Sequence, residues 1–344
     1  MPTQRRRNLT LKDVASALKT STATISNAFN RPDQLSVAKR EKILLACKEL
    51  GYAGPNKAAQ ILRKGKSNII AVVLADSIEY MVTDPVASSF IKGVTQMLKE
   101  HQKHLLLYAG DSESIRDVID FVDGFICYGA PRNNKLIEQI NGQYKPVVTV
   151  DFNLGSNVSV NIDNDTASYE VAKLALKPND RVAIIGLRLI EANHTCRIYD
   201  APLIDVEHCV THRRLEGYLK AVDEVGLVVE TGSIWHTPEN NHKYARQAAL
   251  EVLNSRPRPN VILCMSDLIA IEVLHCAREL KIDVPNEVKI TGFDGISEST
   301  RVQPHITTVY QSSVEKGRKA AKLLLNGSEE SCMLSHKLQK GGTI

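Results

Sequence analysis

LTLKDVASAL (residues 9–18), STATISNAFN (21–30), SVAKREKILLACKELGY (36–52) and PNKAAQIL (55–62) decide how this chain is organised. The first three read as short amphipathic helices, and the fourth as an isolated one. Thr10 and Asp13 have the spacing of a capping box, so Thr10 can cap a helix with Leu11, Val14, Ala15 and Leu18 on one face. Lys19-Thr20 is a tight connection. Ser21 can then cap a second helix that turns Ile25, Ala28 and Phe29 inward. Ser36 caps a third, with Val37, Ile43, Leu44, Cys47 and Leu50 at helical spacing.

The second helix leaves Thr22, Ala23 and Asn27 pointing outward. Small polar side chains on an exposed helix just after a short turn suit a DNA major groove. The spacing alone also allows a plain three-helix bundle with a solvated face. Charge favours the first reading. Residues 1–66 hold fourteen Lys and Arg against four Asp and Glu, a net of +10, while the whole chain carries +4. A small basic head on an acidic body is the electrostatic footprint of a nucleic-acid binder joined to something else. Arg5-Arg6-Arg7 reads either as an arm touching phosphates or as a solvated tail.

On these residues the chain resembles the LacI/GalR (lactose-repressor/galactose-repressor) family of bacterial regulators. LTLKDVA, TISNAFN, SVAKREKI, LGY and PNKAAQIL follow the family's order. The resemblance continues through FIKGV, VDGF, VNIDND, RRLEGY, MSDLIAIEVL, VPNEVKITGFDG and PHITTV, covering almost the whole chain. It implies an all-α helix-turn-helix head (8–54), a hinge helix and linker (55–67), and an α/β body (68–344) like the periplasmic sugar-binding proteins. The implied partners are a double-stranded DNA operator, a small-molecule effector and a second copy of the chain, as a homodimer or a larger assembly. DNA contacts are expected from Ser21, Thr22, Ala23, Ser26, Asn27 and Asn30, with Arg31 and Gln34 near the backbone. In the hinge they are expected from Asn56, Ala59 and a minor-groove wedge, Leu62. The segment after Pro55 is too short to be a stable helix alone, and from its composition it also reads as a basic linker. Where the family has Gly in its helix–helix turn this chain has Lys19. If φ is positive there, Lys costs on the order of 1 kcal/mol relative to Gly.

At 344 residues there is room for two or three well-buried domains. No apolar run approaches membrane-spanning length, and no signal-peptide core follows the arginines, so a cytoplasmic protein is expected. Seven cysteines (47, 127, 196, 209, 264, 276 and 332) without a CxxC read as small core residues of a reducing compartment. From Asn68 on, the text turns α/β. NIIAVVLAD, HLLLYAG, DGFICYG and PVVTVD are strands separated by helical stretches around Phe90–Lys99, Ile115–Phe121 and Leu136–Ile140. RVAIIG, VVETGSIW, NVILCMS and VKITGFD form a second series. Two parallel-sheet subdomains of this kind hold a ligand cleft between facing strand ends. The resemblance places the crossings near Lys177, Gln311 and Ser328, giving subdomains 68–177 plus 311–328 and 178–310 plus 329–344. The helix at Ser313–Leu325 then belongs to the first, and the last strand, Met333–Gln339, to the second.

Arg214, Asp267 and Asp294 lie at strand or loop ends, where a guanidinium and two carboxylates can grip hydroxyls or a polar ring. In the family these positions contact the effector, as does an aromatic ring near Trp235. The expected effector is small, polar and neutral, a sugar or a nucleoside. The same residues also allow Asp267 as a helix cap, Asp294 as a turn residue and Trp235 as core. Asp163 reads as structural or allosteric. Between Gly186 and Arg214 the chain is about a dozen residues longer than the family, with His194, Cys196, His208, Cys209 and His212. Their spacing matches no closed metal site, and a loop over the cleft mouth is expected, with no metal. No P-loop, G-x-S-x-G, H-E-x-x-H or G-x-G-x-x-G occurs, so neither an enzyme nor a cofactor is expected. Two other readings stand beside an effector-gated repressor. One is the same fold gated by a protein partner. The other is a cytoplasmic ligand-binding module without specific DNA readout.

Overall fold

The computed structural model describes residues 9–54, 65–200, 203 and 209–344. Asn56, Ala59, Leu62 and His208 lie outside the described residues, as do most of 201–208. The chain divides into two compact units, residues 1–67 and 68–344.

The head consists of α1 (Leu11–Ala17), α2 (Thr22–Asn30) and α3 (Val37–Glu49). The Thr10/Asp13 capping box forms at the start of α1. At its end the Thr20 N–H reaches the Ala15 carbonyl and the Lys19 N–H that of Ser16, which is a Schellman motif. That motif requires a left-handed residue at position 19, and Lys19 adopts φ 48°. The core is Val14, Ala15, Ile25, Ala28, Ile43, Cys47 and Tyr52. Phe29 packs edge-on against Tyr52, their centroids 5.8 Å apart. Two expected core positions of α3 face outward: Val37 is 73% exposed and Leu50 is 40% exposed. Both sit at the ends of the helix, beyond the reach of α1 and α2.

In the body, β1 (Ile69–Leu74), α4 (Ile78–Thr83), α5 (Pro85–Glu100), β2 (His104–Tyr108), α6 (Arg116–Ile119), β3 (Gly124–Tyr128), α7 (Asn134–Gly142), β4 (Val147–Val150) and β5 (Val158–Ile162) come first. Then follow α8 (Asn164–Ala175), β6 (Val182–Gly186), β7 (Cys196–Ile198), α9 (Val210–Glu224), β8 (Ile234–His236), α10 (His242–Asn254), β9 (Val261–Cys264), α11 (Asp267–Glu279) and β10 (Lys289–Thr291). The chain ends with β11 (Thr308–Gln311), α12 (Ser313–Asn326), β12 (Cys332–Leu334) and β13 (His336–Gln339). One sheet has the order β12-β5-β4-β3-β1-β2 and is parallel throughout. The other has the order β10-β9-β6-β8-β7, parallel except for β7. Strands β11 and β13 pair antiparallel between them.

The apolar runs of β1, β3 and β4 follow from burial on both faces. On one side they meet Phe90, Val94, Ala320 and Leu324, and on the other Ile115, Leu136 and Ile140. Three expectations change. The first crossing lies at Ile162–Asn164 rather than near Lys177, because Ala167, Val171 and Ala172 of α8 bury their face against β6 and α9. The last strand divides: β12 joins the first sheet beside β5, and β13 pairs with the crossing strand β11. Only Ile234–His236 of VVETGSIW is strand, and the insertion contributes β7 as its antiparallel neighbour.

Helices α5 and α12 touch backbone to backbone. A Cβ at Gly93 would lie 1.9 Å from the Val314 carbonyl oxygen, and one at Gly317 would lie 2.1 Å from that of Phe90. A methyl group cannot fit there without separating the helices. Gly317→Ala is expected to destabilise the body by about 1–3 kcal/mol, read as a lower urea midpoint at unchanged slope.

Candidate DNA-reading face and effector cleft

On the head, Ser21 is committed to its helix: its Oγ accepts from the Thr24 N–H at 3.0 Å. Asn30 donates to the Ser26 carbonyl at 3.1 Å. Thr22 and Ala23 are exposed, and Asn27 is half-buried with no hydrogen-bond partner for its amide among the described residues. The structure therefore separates the six expected readers into capping or internally bonded residues and a free set of Thr22, Ala23 and Asn27.

In the body a cleft of about 490 Å³ opens between the carboxyl ends of the two sheets. The first subdomain lines it with Asp76, Tyr80, Asp84, Tyr128, Arg132 and Asp151, the second with Arg188, Glu191, Arg214, Glu239, Asn240 and Asp294, and Gln311 lies at the crossing. Each charge has a reason to be held. Arg132 pairs with Asp76, and Arg188 with Glu191 at 2.5 Å. Asp84 caps α5, accepting from the N–H groups of Val86 and Ala87 at 2.9 and 2.8 Å. Asn240 bridges the cleft, its N–H reaching the Tyr80 hydroxyl at 2.8 Å and its Nδ2 the Asp84 carboxylate at 3.0 Å.

Two of the four expected effector residues meet in this cleft. Arg214 lies 3.4 Å from Asp294, donates to the Asn164 side chain at 3.0 Å and to the Met265 carbonyl at 2.6 Å, and sits over the Phe293 ring. Asp294 stands at φ 111° and accepts from Gln311 at 2.7 Å. Burial pushes its carboxyl up to about 7, although Arg214, Gln311 and Lys316 pull the other way.

The other two are placed elsewhere. Asp267 is fully buried behind the cleft, where Thr308 Oγ1 donates to it at 2.5 Å and the Ile296 N–H at 2.8 Å. It fastens the turn after β10, and Ser266 caps α11 in its stead. Burial, then the neighbouring Asp294, push its carboxyl far above the usual range. Trp235 is core, 1% exposed, with Nε1 donating to Glu251 at 3.1 Å and Arg197 stacked on its ring. Strand alternation turns Trp235 towards α10 and α11. Asp163 is the N-cap of α8; its carboxyl is raised by burial but lowered overall by hydrogen bonds from Thr166.

The insertion forms part of the cleft wall through Arg188, Glu191, Cys209 and Thr211. His236 fixes its start: Nδ1 accepts from the N–H groups of Leu189 and Ile190 at 3.1 and 3.4 Å, and Nε2 donates to the Ala192 carbonyl at 3.0 Å. That pattern requires a neutral ring, and burial holds its pKa below the ordinary value. Among the described residues no three His, Cys, Asp or Glu groups are placed to hold a metal ion. None of their helices is long and apolar enough to cross a membrane. Asp151, Tyr80 and Asn240 escaped the sequence reading. Asp151 follows β4 as Asp294 follows β10 and was open to the same argument; the other two carried no signal.

A basic helix-turn-helix head joined to a two-subdomain body like the periplasmic binding proteins is the architecture of a transcription regulator. Residues 10–56 match the lacI family of bacterial regulatory proteins, and residues 188–333 match the periplasmic binding protein-like domain. An HTH-type transcriptional regulator of Mycobacterium tuberculosis is 34% identical over 338 residues, 94% of this chain and 92% of its own. The HTH-type transcriptional repressor CytR of Escherichia coli K12 is 27% identical, covering 92% of this chain and 89% of its own. The fold is shared with a LacI-family regulator from Corynebacterium glutamicum, at TM-score 0.70 and 25% identity over 99% of this chain and 100% of that one. It is also shared with the regulator CelR in complex with cellobiose, at TM-score 0.67 and 22% identity over 98% and 100%. The chain belongs to the LacI family of transcriptional regulators, whose members are not enzymes.

The raised carboxyl of Asp294 has a thermodynamic consequence. Its contribution to stability is complete below the ordinary Asp value of 3.8 and is lost as pH rises through about 7. Wild type should therefore lose unfolding free energy relative to Asp294→Asn between pH 4 and 8. A pH-independent difference in urea titrations would show the carboxylate ionised throughout.

Proposed function

We propose that this protein is a cytoplasmic, homodimeric repressor that binds a pseudo-palindromic operator and responds to a small polar effector of the sugar or nucleoside class. The observation that carries the DNA half is the outward face of α2. Ser21 and Asn30 are bonded within the head, and Thr22, Ala23 and Asn27 remain free to meet base edges. Dimer symmetry then maps onto paired half-sites. The hinge residues Asn56, Ala59 and Leu62 complete the expected contact set in the minor groove.

The effector half rests on the cleft. Arg214 and Asp294, with Asp151 and Tyr128 opposite, combine donors, acceptors and an aromatic face, which suits hydroxyl-bearing rings. The cellobiose complex of CelR supports a sugar. An effector changes DNA affinity only by binding the two subdomain arrangements unequally, and this cleft is lined by both subdomains. Selection from randomised duplexes should return a palindrome, and a thermal-shift panel of sugars and nucleosides should return a stabilising ligand. Enrichment without symmetry would overturn the dimeric repressor.

Asn27 can pair bidentately with adenine N6 and N7. Asn27→Ala is expected to relax specificity at one base pair of each half-site by about 1–3 kcal/mol. A uniform loss across operator variants, measured by fluorescence anisotropy, would instead make Asn27 a phosphate contact.

A further inference from the structure

Lys316 sits in the first turn of α12, yet it is 1% exposed. Its Nζ reaches both carboxylate oxygens of Asp151, at 2.7 and 2.9 Å, and the Gln311 Oε1 at 2.7 Å. The three N–H bonds of the ammonium are thereby used. An ammonium taken out of water is strongly disfavoured unless it is paired in this way.

The pairing does more than neutralise a charge. Because Gln311 Oε1 accepts from Lys316, its amide is oriented with Nε2 towards Asp294, to which it donates at 2.7 Å. A continuous line of bonds therefore runs from Asp151, at the end of β4 in the first subdomain, to Asp294, after β10 in the second. Both acids line the cleft. Both also stand at left-handed φ, 65° for Asp151 and 111° for Asp294, where a side chain other than glycine is unfavourable. Their directions are held by partners against backbone preference.

We propose that Lys316 is the positioning residue of the effector cleft, setting the Asp151 carboxylate directly and the Asp294 carboxylate through Gln311, so that one acid from each subdomain is presented to the ligand by a single buried ammonium. This rests on the cleft being the effector site. The remaining charges facing the pair are Arg214 beside Asp294, Asp84 across the cleft, Asp267 behind, and Arg213, which donates to the Asp151 carbonyl at 2.7 Å.

The test is the titration of Asp294 by carboxyl carbon NMR in the full-length, ligand-free protein, with the resonance assigned by its loss in Asp294→Asn. Lys316→Met removes the ammonium and frees the Gln311 amide, so the Asp294 midpoint should rise by about one pH unit or more. Lys316→Arg keeps a charged donor and should recover part of that shift. A folded Lys316→Met with an unchanged midpoint overturns the proposal. If Lys316→Met does not fold because Asp151 is left buried without a partner, the comparison moves to Asp151→Asn and the double variant Asp151→Asn/Lys316→Met. A higher midpoint in the double variant supports the proposal, and equal midpoints overturn it. The measurement uses no ligand, so its failure leaves the effector reading standing, and a failed effector screen leaves the titration standing.

Discussion

A parallel sheet has no face that water can wet, and the body has two of them. Each must be covered by helices on both sides, and that requirement dictates the path of the chain. After β5 the chain has filled the first sheet's faces only in part, yet α8 is needed on the second, so it crosses there. The debt on the first sheet is met much later, when α12 returns to pack against α5 with Gly93 and Gly317 at the contact. The strands that carry the chain back and forth lie side by side as β11 and β13. The cleft exists because two covered sheets present only their strand ends to one another.

Those strand ends bring charges of opposite sign close together, and many of the polar groups in the cleft are paired with one another. Asn240 illustrates the point. Besides its bonds to Tyr80 and Asp84 it accepts from Ser266 at 2.7 Å, so one side chain ties the rim of the second subdomain to the first and to the start of α11. A ligand entering here must exchange its own hydrogen bonds for existing ones. Selectivity then comes from how well it replaces them rather than from area alone.

Local patterns made much of this legible in advance. The capping box at Thr10, the turn at Lys19 and the inward residues of α1 and α2 depend on neighbours three to five positions away, and the sequence displays them directly. Arg214 and Asp294 were expected from strand or loop ends and from the family resemblance, and both reach the cleft, Arg214 from within helix α9 rather than from an end. Asp267 shared that kind of placement and Trp235 was expected from the resemblance alone, but whether such a side chain points into a cleft or behind it depends on the facing layer, which no short window contains. Lys316 was invisible for a related reason. On α12 it is one lysine among several, and only the fold brings Asp151, 165 residues away, within reach of it.

The insertion after β6 also completes the edge of the second sheet. Without it, β8 would end the second sheet as an open edge, a row of unpaired amides and carbonyls on which another chain could add a strand. Strand β7 occupies that edge with three residues, too few to propagate the ladder, and lays Arg197 across Trp235. At the opposite end, the Ile290 N–H of β10 is taken by the carbonyl of Thr343 near the chain terminus. Both ends of the second sheet, at β8 and at β10, are thus met by other parts of the chain, and the segment that shapes the ligand wall also supplies an edge strand.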